Sequence, residues 1–375
     1  MFASDHNVEA TEDITSKMAM TNLHPRFAQH TAAALPTETD VVIIGSGITG
    51  ASIARTFLKI QTQSSSSHPR VVMLEVRSIC SGATGRNGGH ILETSDKYAE
   101  LADVFGVDIT RKTMRFRLSH LKEMLGVAEE WGLTSETQAR KVRFLSVYFG
   151  EEPWKAALER LARFQVGMPD ESAEWTAYDG EEIPKEFNLP YARGVIAGPE
   201  DALWPYKFVI GILARLLADF PVDFRVEEQT PVIVNLSLHG MSFTTPTHTL
   251  GTWSQDSEAA VRLTDVSTDT RRRLPCQAAK HSWLFSYDRG FDFLTQLLEG
   301  QMMLGGGFAQ TEGGGIADLG VSTDSELSLY IDIHLSGALS AIFELPGSLG
   351  AGYRVIQCKR CGPATWRLAL TGFHE

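Results

Sequence analysis

Residues 41–50 read Val41-Val42-Ile43-Ile44-Gly45-Ser46-Gly47-Ile48-Thr49-Gly50, an apolar strand running straight into a G-x-G-x-x-G turn. The residues behind it, 48–60, place apolar side chains at helical steps. A second apolar run, Val71-Val72-Met73-Leu74, ends on Glu75, which stands 25 residues past Gly50. A parallel β-α-β unit that grips a dinucleotide needs this succession. Gly45 permits the tight turn, Gly47 lets a pyrophosphate approach the backbone, and Gly50 lets the helix pack closely on the strand. The helix N-terminus, with the amides of Ser46, Ile48 and Thr49, then faces the phosphates. Glu75 at the tip of the second strand is placed to accept both hydrogen bonds from an adenosine ribose, with Val76 and Arg77 following it.

Composition narrows the class. A chain of 375 residues with 43% hydrophobic content can bury two sizeable cores, and 33 glycines suit many close backbone approaches. The net charge of −12 and the lack of a basic stripe with interleaved aromatics argue against nucleic acid as a partner. No run approaches the ~18 apolar residues of a membrane span, and the first 36 residues carry Asp5, Glu9, Glu12 and Asp13 without a signal-peptide core. The expectation is a cytoplasmic protein with no membrane partner. Cys80, Cys276, Cys358 and Cys361 do not make a secreted disulfide framework. Cys358 and Cys361 have C-x-x-C spacing, but a zinc site wants a second pair, and the scattered histidines have no i, i+4 partner, so no metal site is expected.

Residues 1–36 read as a flexible tail. Helices are expected at 48–60, 111–131, 152–164 and 205–220, the last opened by Pro205, which is favourable at a first helical position. Strands are expected at 41–44, 71–75, 142–149, 194–196, 224–226 and 230–234; 291–296 and 303–308 look like strands only by resemblance to the family considered next.

Beyond Glu75 stands Ser81-Gly82-Ala83-Thr84-Gly85-Arg86-Asn87-Gly88-Gly89-His90. Such a loop wraps backbone around something bulky and anionic, and Arg86 and Asn87 add a charge and an amide. A nicotinamide site rarely needs this second loop. Here the chain resembles the FAD-dependent oxidoreductases of the D-amino-acid oxidase type, which include glycine and sarcosine oxidases and γ-glutamylputrescine oxidases; Ala83–Gly89 looks most like the last. The resemblance implies FAD as cofactor, Glu75 on the ribose, Thr84, Arg86 and Asn87 by the pyrophosphate, Gly88 and Gly89 approaching the flavin ring, and Val232, in Thr230-Pro231-Val232, passing the adenine. The expected fold is α/β plus α+β: a Rossmann-like FAD-binding domain (37–110 with 190–245 and 346–375) and a mixed-sheet substrate domain (111–189 with 282–345), separated by an irregular stretch at 246–281.

Two segments depart from the family. Between 244 and 281 no apolar strand can be found where the family has one, ending in a small-residue turn, and after 357 the family's Gly-rich loop gives way to an unrelated sequence. Weak flavin retention is expected for that reason, and a truncated remnant that binds adenine nucleotide only stays open as an alternative. So does a flavin dehydrogenase or hydroxylase of a secondary metabolite.

Flavin amine oxidation asks little of side chains, since the hydride moves to the cofactor and the protein positions the partners. His90 is a candidate base, though a hydrogen-bonding structural role is the commoner one for such a histidine. Tyr287 and Tyr206 are candidate pocket residues with core packing as the alternative. From 291 to 353 there is no Lys or Arg, against Asp292, Glu299, Glu312, Asp318, Asp324, Glu326, Asp332 and Glu344. An arginine fork for a substrate carboxylate is therefore missing from this stretch. The sequence points to oxidation of a C–N bond in an amine or amino-acid-like small molecule, with oxygen as the acceptor.

Overall fold

The computed structural model describes residues 35–36, 38–64, 69–237, 240–244, 262–266, 280–296, 298, 302–318, 329–343 and 353–357. Nearly all of the expected tail, the Cys358/Cys361 pair and the sequence after 357 lie outside the described residues. So does most of 246–281.

The described residues fall into two compact units, one drawn from Met1–Arg86 and Pro205–Asp256, the other from Asn87–Trp204 and Ser257–Glu375. These breaks, at 86/87 and 204/205, differ from the lobe boundaries read from the sequence at 110/111 and 189/190. In chain order the first unit contributes β1 (Val41–Ile44), α1 (Ile48–Ser64), β2 (Val71–Leu74) and the single-turn α2 (Ala83–Arg86). The second unit follows with β3 (His90–Ile91), α3 (Ser95–Phe105), α4 (Val107–Glu130), β4 (Arg140–Tyr148), α5 (Glu151–Gly167), β5 (Thr176–Asp179) and β6 (Gly194–Ala202). The chain returns to the first for α6 (Pro205–Asp219), β7 (Phe224–Glu227), β8 (Ile233–Ser237) and β9 (Gly240–Thr244). It closes in the second with β10 (Arg262–Val266), β11 (His281–Ser286), β12 (Phe291–Gln296), β13 (Met302–Gly306), α7 (Leu329–Ile342) and β14 (Tyr353–Gln357).

In the first unit β1, β2 and β7 pair in parallel in the order β1-β2-β7, with Ile43 opposite Met73 and Met73 opposite Val226. Strand β2 is buried throughout, whereas in β1 Ile43 is buried and Val42 and Ile44 are exposed. Helix α1 covers the sheet with Ala51, Ala54 and Leu58, all fully buried, and α6 brings Val209, Leu213 and Leu216. The strand expected at 230–234 starts only at Ile233, and β8 and β9 form a separate antiparallel hairpin.

The second unit is built on a nine-stranded mixed sheet, ordered β14-β10-β13-β12-β11-β4-β6-β3 with β5 also on β6. Period-two alternation sorts its side chains. On one face Trp283 and Phe285 lie in register with Leu145 and Val147 on one side and with Leu294 and Asp292 on the other. This face packs against Leu335, Ala338, Leu339, Ile342 and Phe343 of α7 and the residues just after it. On the opposite face Phe144, Tyr148 and Ile196 meet Tyr98 and Leu101 of α3, Met114 of α4, and Trp154, Leu161 and Phe164 of α5. Each large apolar side chain buried in this way contributes about 1.5–3 kcal/mol.

Two sequence expectations change. Strand β6 runs nine residues where three were expected: Pro199 pairs with Arg143 and the ladder continues through Glu200 and Asp201 to Ala202. Strand β10 forms inside the stretch read as lacking a strand. Arg-Leu-Thr-Asp-Val carries no apolar run, and its order comes from hydrogen-bonded neighbours on both sides, β13 and β14.

Candidate functional site

The first glycine turn is built on backbone contacts. Gly45 has φ +95°, and its N–H donates to Leu74 O at 2.8 Å, which ties the turn to the tip of β2. A Cβ on Gly50 would stand 2.1 Å from Gly45 O, so no other residue lets α1 approach β1 this closely. A Cβ on Gly47 would face Thr84 Oγ1 at 3.2 Å.

Ser46 is fully buried and links three segments. Its N–H and its hydroxyl both donate to Glu75 Oε2, at 3.0 and 2.6 Å, and Cys80 N–H donates to Ser46 Oγ at 2.8 Å. Arg77 N–H donates to Glu75 Oε1 at 3.0 Å, and Thr230 N–H donates to Glu75 O at 2.8 Å. A carboxylate offers about four acceptor sites. Three are taken, so one, on Oε1, remains open. Ile48 N–H, the first free amide of α1, donates to Thr84 Oγ1 at 3.0 Å. A side-chain oxygen thus stands where a phosphate oxygen is favoured by the helix N-terminus.

The side chains of Thr49, Val76 and Arg77 are exposed at the rim, and Val232 is half-buried after the Thr230 contact. Arg86 closes α2; the placement of its side chain is outside the described residues. Cys80 sits beneath Ser46 with φ +59°. Burial and then the Glu75 carboxylate push its thiol up to about 12, so it stays protonated and unreactive. Burial followed by Cys80 and Glu228 pushes the Tyr206 phenol up to about 12.

Asn87, Gly88, Gly89 and His90 belong to the second unit. Gly89 N–H donates to Asn87 Oδ1 at 2.9 Å, a local side-chain turn, and Gly89 O accepts from Leu203 N–H at 3.3 Å. His90 lies in β3, its side chain 8% exposed. Its Nδ1 meets Glu200 Oε1 at 2.6 Å and its Nε2 meets Thr295 Oγ1 at 2.6 Å. The second oxygen of Glu200 accepts from the Ser282 hydroxyl. The ring stands edge-on to Phe293, centroids 6.2 Å apart. Glu200, Ser282 and Thr295 were not singled out in the sequence. The available signal was a charged pair, Glu200-Asp201, closing an apolar strand.

Tyr287 belongs to a different network, on the face that carries α7. Its hydroxyl donates to Asp292 Oδ2 at 3.0 Å, His334 Nε2 donates to the same oxygen at 2.6 Å, and Gly307 N–H donates to Oδ1 at 2.8 Å. Burial and then Asp292 push the Tyr287 phenol above its ordinary value. Tyr287 thus donates to a buried carboxylate, and its ring packs on Phe149. Asp292, read from the sequence as part of an acidic face, is buried and hydrogen-bonded on both oxygens. Phe149 stacks on Tyr287 beside a cavity of about 350 Å³ lined also by His334, Gly337 and Ala341. Among the described residues no cluster of His, Cys, Asp or Glu is placed to hold a metal ion, and no helix is long and apolar enough to cross a membrane.

A glycine turn and an acidic strand tip on a parallel sheet define a β-α-β unit of the dinucleotide-binding type, and the chain carries a separate mixed-sheet unit beside it in sequence. The chain belongs to the DAO family of FAD dependent oxidoreductases, whose sequence profile matches residues 40–234. No curated protein sequence matches it. Among solved structures it is similar to glycine oxidase from Geobacillus kaustophilus (TM-score 0.56, 14% identity, 81% of this chain and 78% of that chain). It is similar also to iminodiacetate oxidase from Chelativorans sp. BNC1 (0.54, 13%, 81% and 78%) and to L-amino acid deaminase from Proteus vulgaris (0.50, 13%, 74% and 62%). At these identities the likeness is one of fold. The chain spans about three fifths of the length of the Proteus deaminases.

The residues present fit FAD at the adenosine end: an open acceptor on Glu75, a helix N-terminus already met by an oxygen, and a turn whose glycines leave no side chain in the way. Glu75→Ala is expected to weaken FAD binding by ~1–3 kcal/mol, because Ser46 and Arg77 also lose their acceptor. Equilibrium dialysis of the variant against FAD checks this, and unaltered affinity would show that the ribose lies elsewhere.

Proposed function

We propose that the protein oxidises the C–N bond of an amine or amino-acid-like substrate, with oxygen as the final acceptor and simple amines preferred over free amino acids. Bound FAD supplies a two-electron acceptor for the hydride on the carbon that bears the amine. The chain's own residues bind and orient. Ser46, Glu75 and Thr84 hold the nucleotide end, and Asn87–His90 continue from it into the mixed-sheet unit.

The observation that carries the reading is the Ser46–Glu75–Thr84 cradle within a DAO-family chain. Support for an amine comes from residues 291–353, where no Lys or Arg is available to grip a carboxylate. The fold relatives act, by their names, on glycine, iminodiacetate and L-amino acids, all of which carry an amine beside a carboxylate.

The test is peroxide release from FAD-reconstituted protein across mono-, di- and polyamines, D- and L-amino acids and N-methyl amino acids. Amines are expected to give the higher kcat/KM, by tenfold or more, the worth of about 1.4 kcal/mol. Strong turnover of an amino acid with none for amines would reverse the substrate assignment.

A further inference from the structure

We propose that the cavity between α7 and the rings of Phe149 and Tyr287 is a binding site for a small, neutral heteroaromatic molecule of two fused rings. The site is built from the second unit alone. It is independent of the amine-oxidising reading above.

The cavity measures about 350 Å³. An apolar cavity of about 150 Å³ is enough to hold benzene, so two fused rings suit this space, and the volume falls in the range of small-molecule pockets. Its mouth is open, because Gly337 and Ala341, which line it, are exposed on α7. Ile342, also in the lining, is buried. One wall is flat: Phe149 and Tyr287 stack with their ring planes 9° apart and their centroids at 5.5 Å. A planar aromatic ligand packs well on such a surface.

Gly337 indicates that the space is kept open. It lies inside α7, where glycine is the least favourable residue after proline. Close packing is the ordinary reason for such a glycine, and it does not apply here, since a Cβ at Gly337 would meet nothing within 4 Å. A larger side chain would fit at this position, and it would take up the room beside Phe149 and Tyr287.

His334 adds one polar point to an otherwise apolar lining. Its Nε2 is committed to Asp292 Oδ2 at 2.6 Å, whereas Nδ1 has no partner among the described residues. The side chain is 22% exposed, and the ring stands edge-on to Tyr287, 89° from its plane. Nδ1 accepts or donates according to the proton count of the ring; in either state it is a single group able to orient a ligand within apolar walls. The Tyr287 hydroxyl already donates to Asp292 at 3.0 Å. A ring nitrogen in the ligand answers Nδ1, as an N–H in indole or as a lone pair in quinoline. No Lys or Arg lines the cavity to hold an anion, and the Asp292 carboxylate behind His334 disfavours one.

The experiment titrates indole and quinoline into the full-length, FAD-loaded protein by calorimetry, with Gly337→Leu beside wild type. At least one probe is expected to bind wild type with a Kd below ~1 mM and to raise its melting temperature at saturation. Gly337→Leu should melt no lower than wild type, because it replaces a helix glycine and extends into open space. It should bind the probe about tenfold or more weakly, since the leucine occupies the ligand's room. The second readout is nitrogen NMR of His334, whose Nδ1 resonance should shift on binding while Nε2 stays bonded to Asp292. Absence of binding by both probes, or equal binding by Gly337→Leu, would overturn the site. Binding that Gly337→Leu abolishes but that leaves Nδ1 unmoved would overturn the part given to His334, and with it the heteroaromatic class.

Discussion

Gly50→Ala is expected to abolish FAD retention and to lower the stability of the first unit. The added Cβ would lie 2.1 Å from Gly45 O and 3.3 Å from both Gly45 C and Ile43 Cγ2. Two of these neighbours are backbone and the third is a β-branched side chain, so nothing nearby is free to swing away. Helix α1 must shift outward or the turn must open. Either movement displaces the Ser46 N–H from Glu75 Oε2 and the Ile48 N–H from Thr84, and with them both ends of the nucleotide cradle. Overpacking of this kind costs about 1–3 kcal/mol or more in folding. Loss of the phosphate and ribose contacts together should weaken FAD by over ~100-fold, at about 1–3 kcal/mol for each hydrogen-bonding group left unpaired. Equilibrium dialysis after reconstitution with excess FAD is the measurement, with a melting curve beside it. Gly47→Ala is the control: its Cβ meets a hydroxyl at 3.2 Å that a rotation of Thr84 can withdraw. That variant should fold like wild type while still losing affinity. FAD binding by Gly50→Ala equal to wild type would show that the nucleotide does not use this turn.

What could be read from the sequence was local and periodic. The glycine turn, Glu75 and the apolar runs at 41–44 and 71–74 lie within one β-α-β unit, where spacing translates directly into space, and the parallel sheet they were expected to form is present. Helices 107–130, 151–167 and 205–219 were visible because one face is apolar; their ends moved by up to four residues. Helix α3 was missed although Thr94 caps it, its hydroxyl accepting from Lys97 N–H at 3.2 Å. Thr-Ser-Asp-Lys is a good helix start, but only four large apolar residues follow it.

The His90 network was out of reach for another reason. Its members lie 110 and 205 residues from His90 in the chain, brought together by a sheet whose order no pattern in the sequence states. Strand β6 hid its length in the same way. A glutamate inside an apolar strand argues against burial until the histidine and serine that satisfy it are known. Asp292 shows the converse error. Counted with seven other carboxylates, it suggested a solvated acidic surface; placed in β12, it points into a core where three donors wait for it.

Asp292→Ala is expected to cost the second unit about 3–5 kcal/mol, the range for removing one partner of a buried, hydrogen-bonded charge. Tyr287, His334 and Gly307 N–H would each lose their acceptor at once, and Gly307 sits in the left-handed region with φ +70°, a conformation the bond to Oδ1 helps to hold. Helix α7 is fastened to β12 by His334, so its apolar face against Trp283 and Phe285 should loosen with it. The same contact makes wild-type stability depend on pH. The hydrogen bond to Asp292 raises the His334 pKa, with burial opposing and the Asp292 charge adding to the rise. The folded state therefore holds this proton more tightly than the unfolded one. The contribution is complete below the ordinary histidine range and is lost as pH rises through the folded-state pKa. Urea midpoints of wild type should fall across that interval, and those of Asp292→Asn, which keeps an acceptor for Gly307 but no charge for His334, should lie lower and change less. A wild-type midpoint that does not fall over that rise in pH, or an alanine variant as stable as wild type, would show that α7 is held by its apolar face alone.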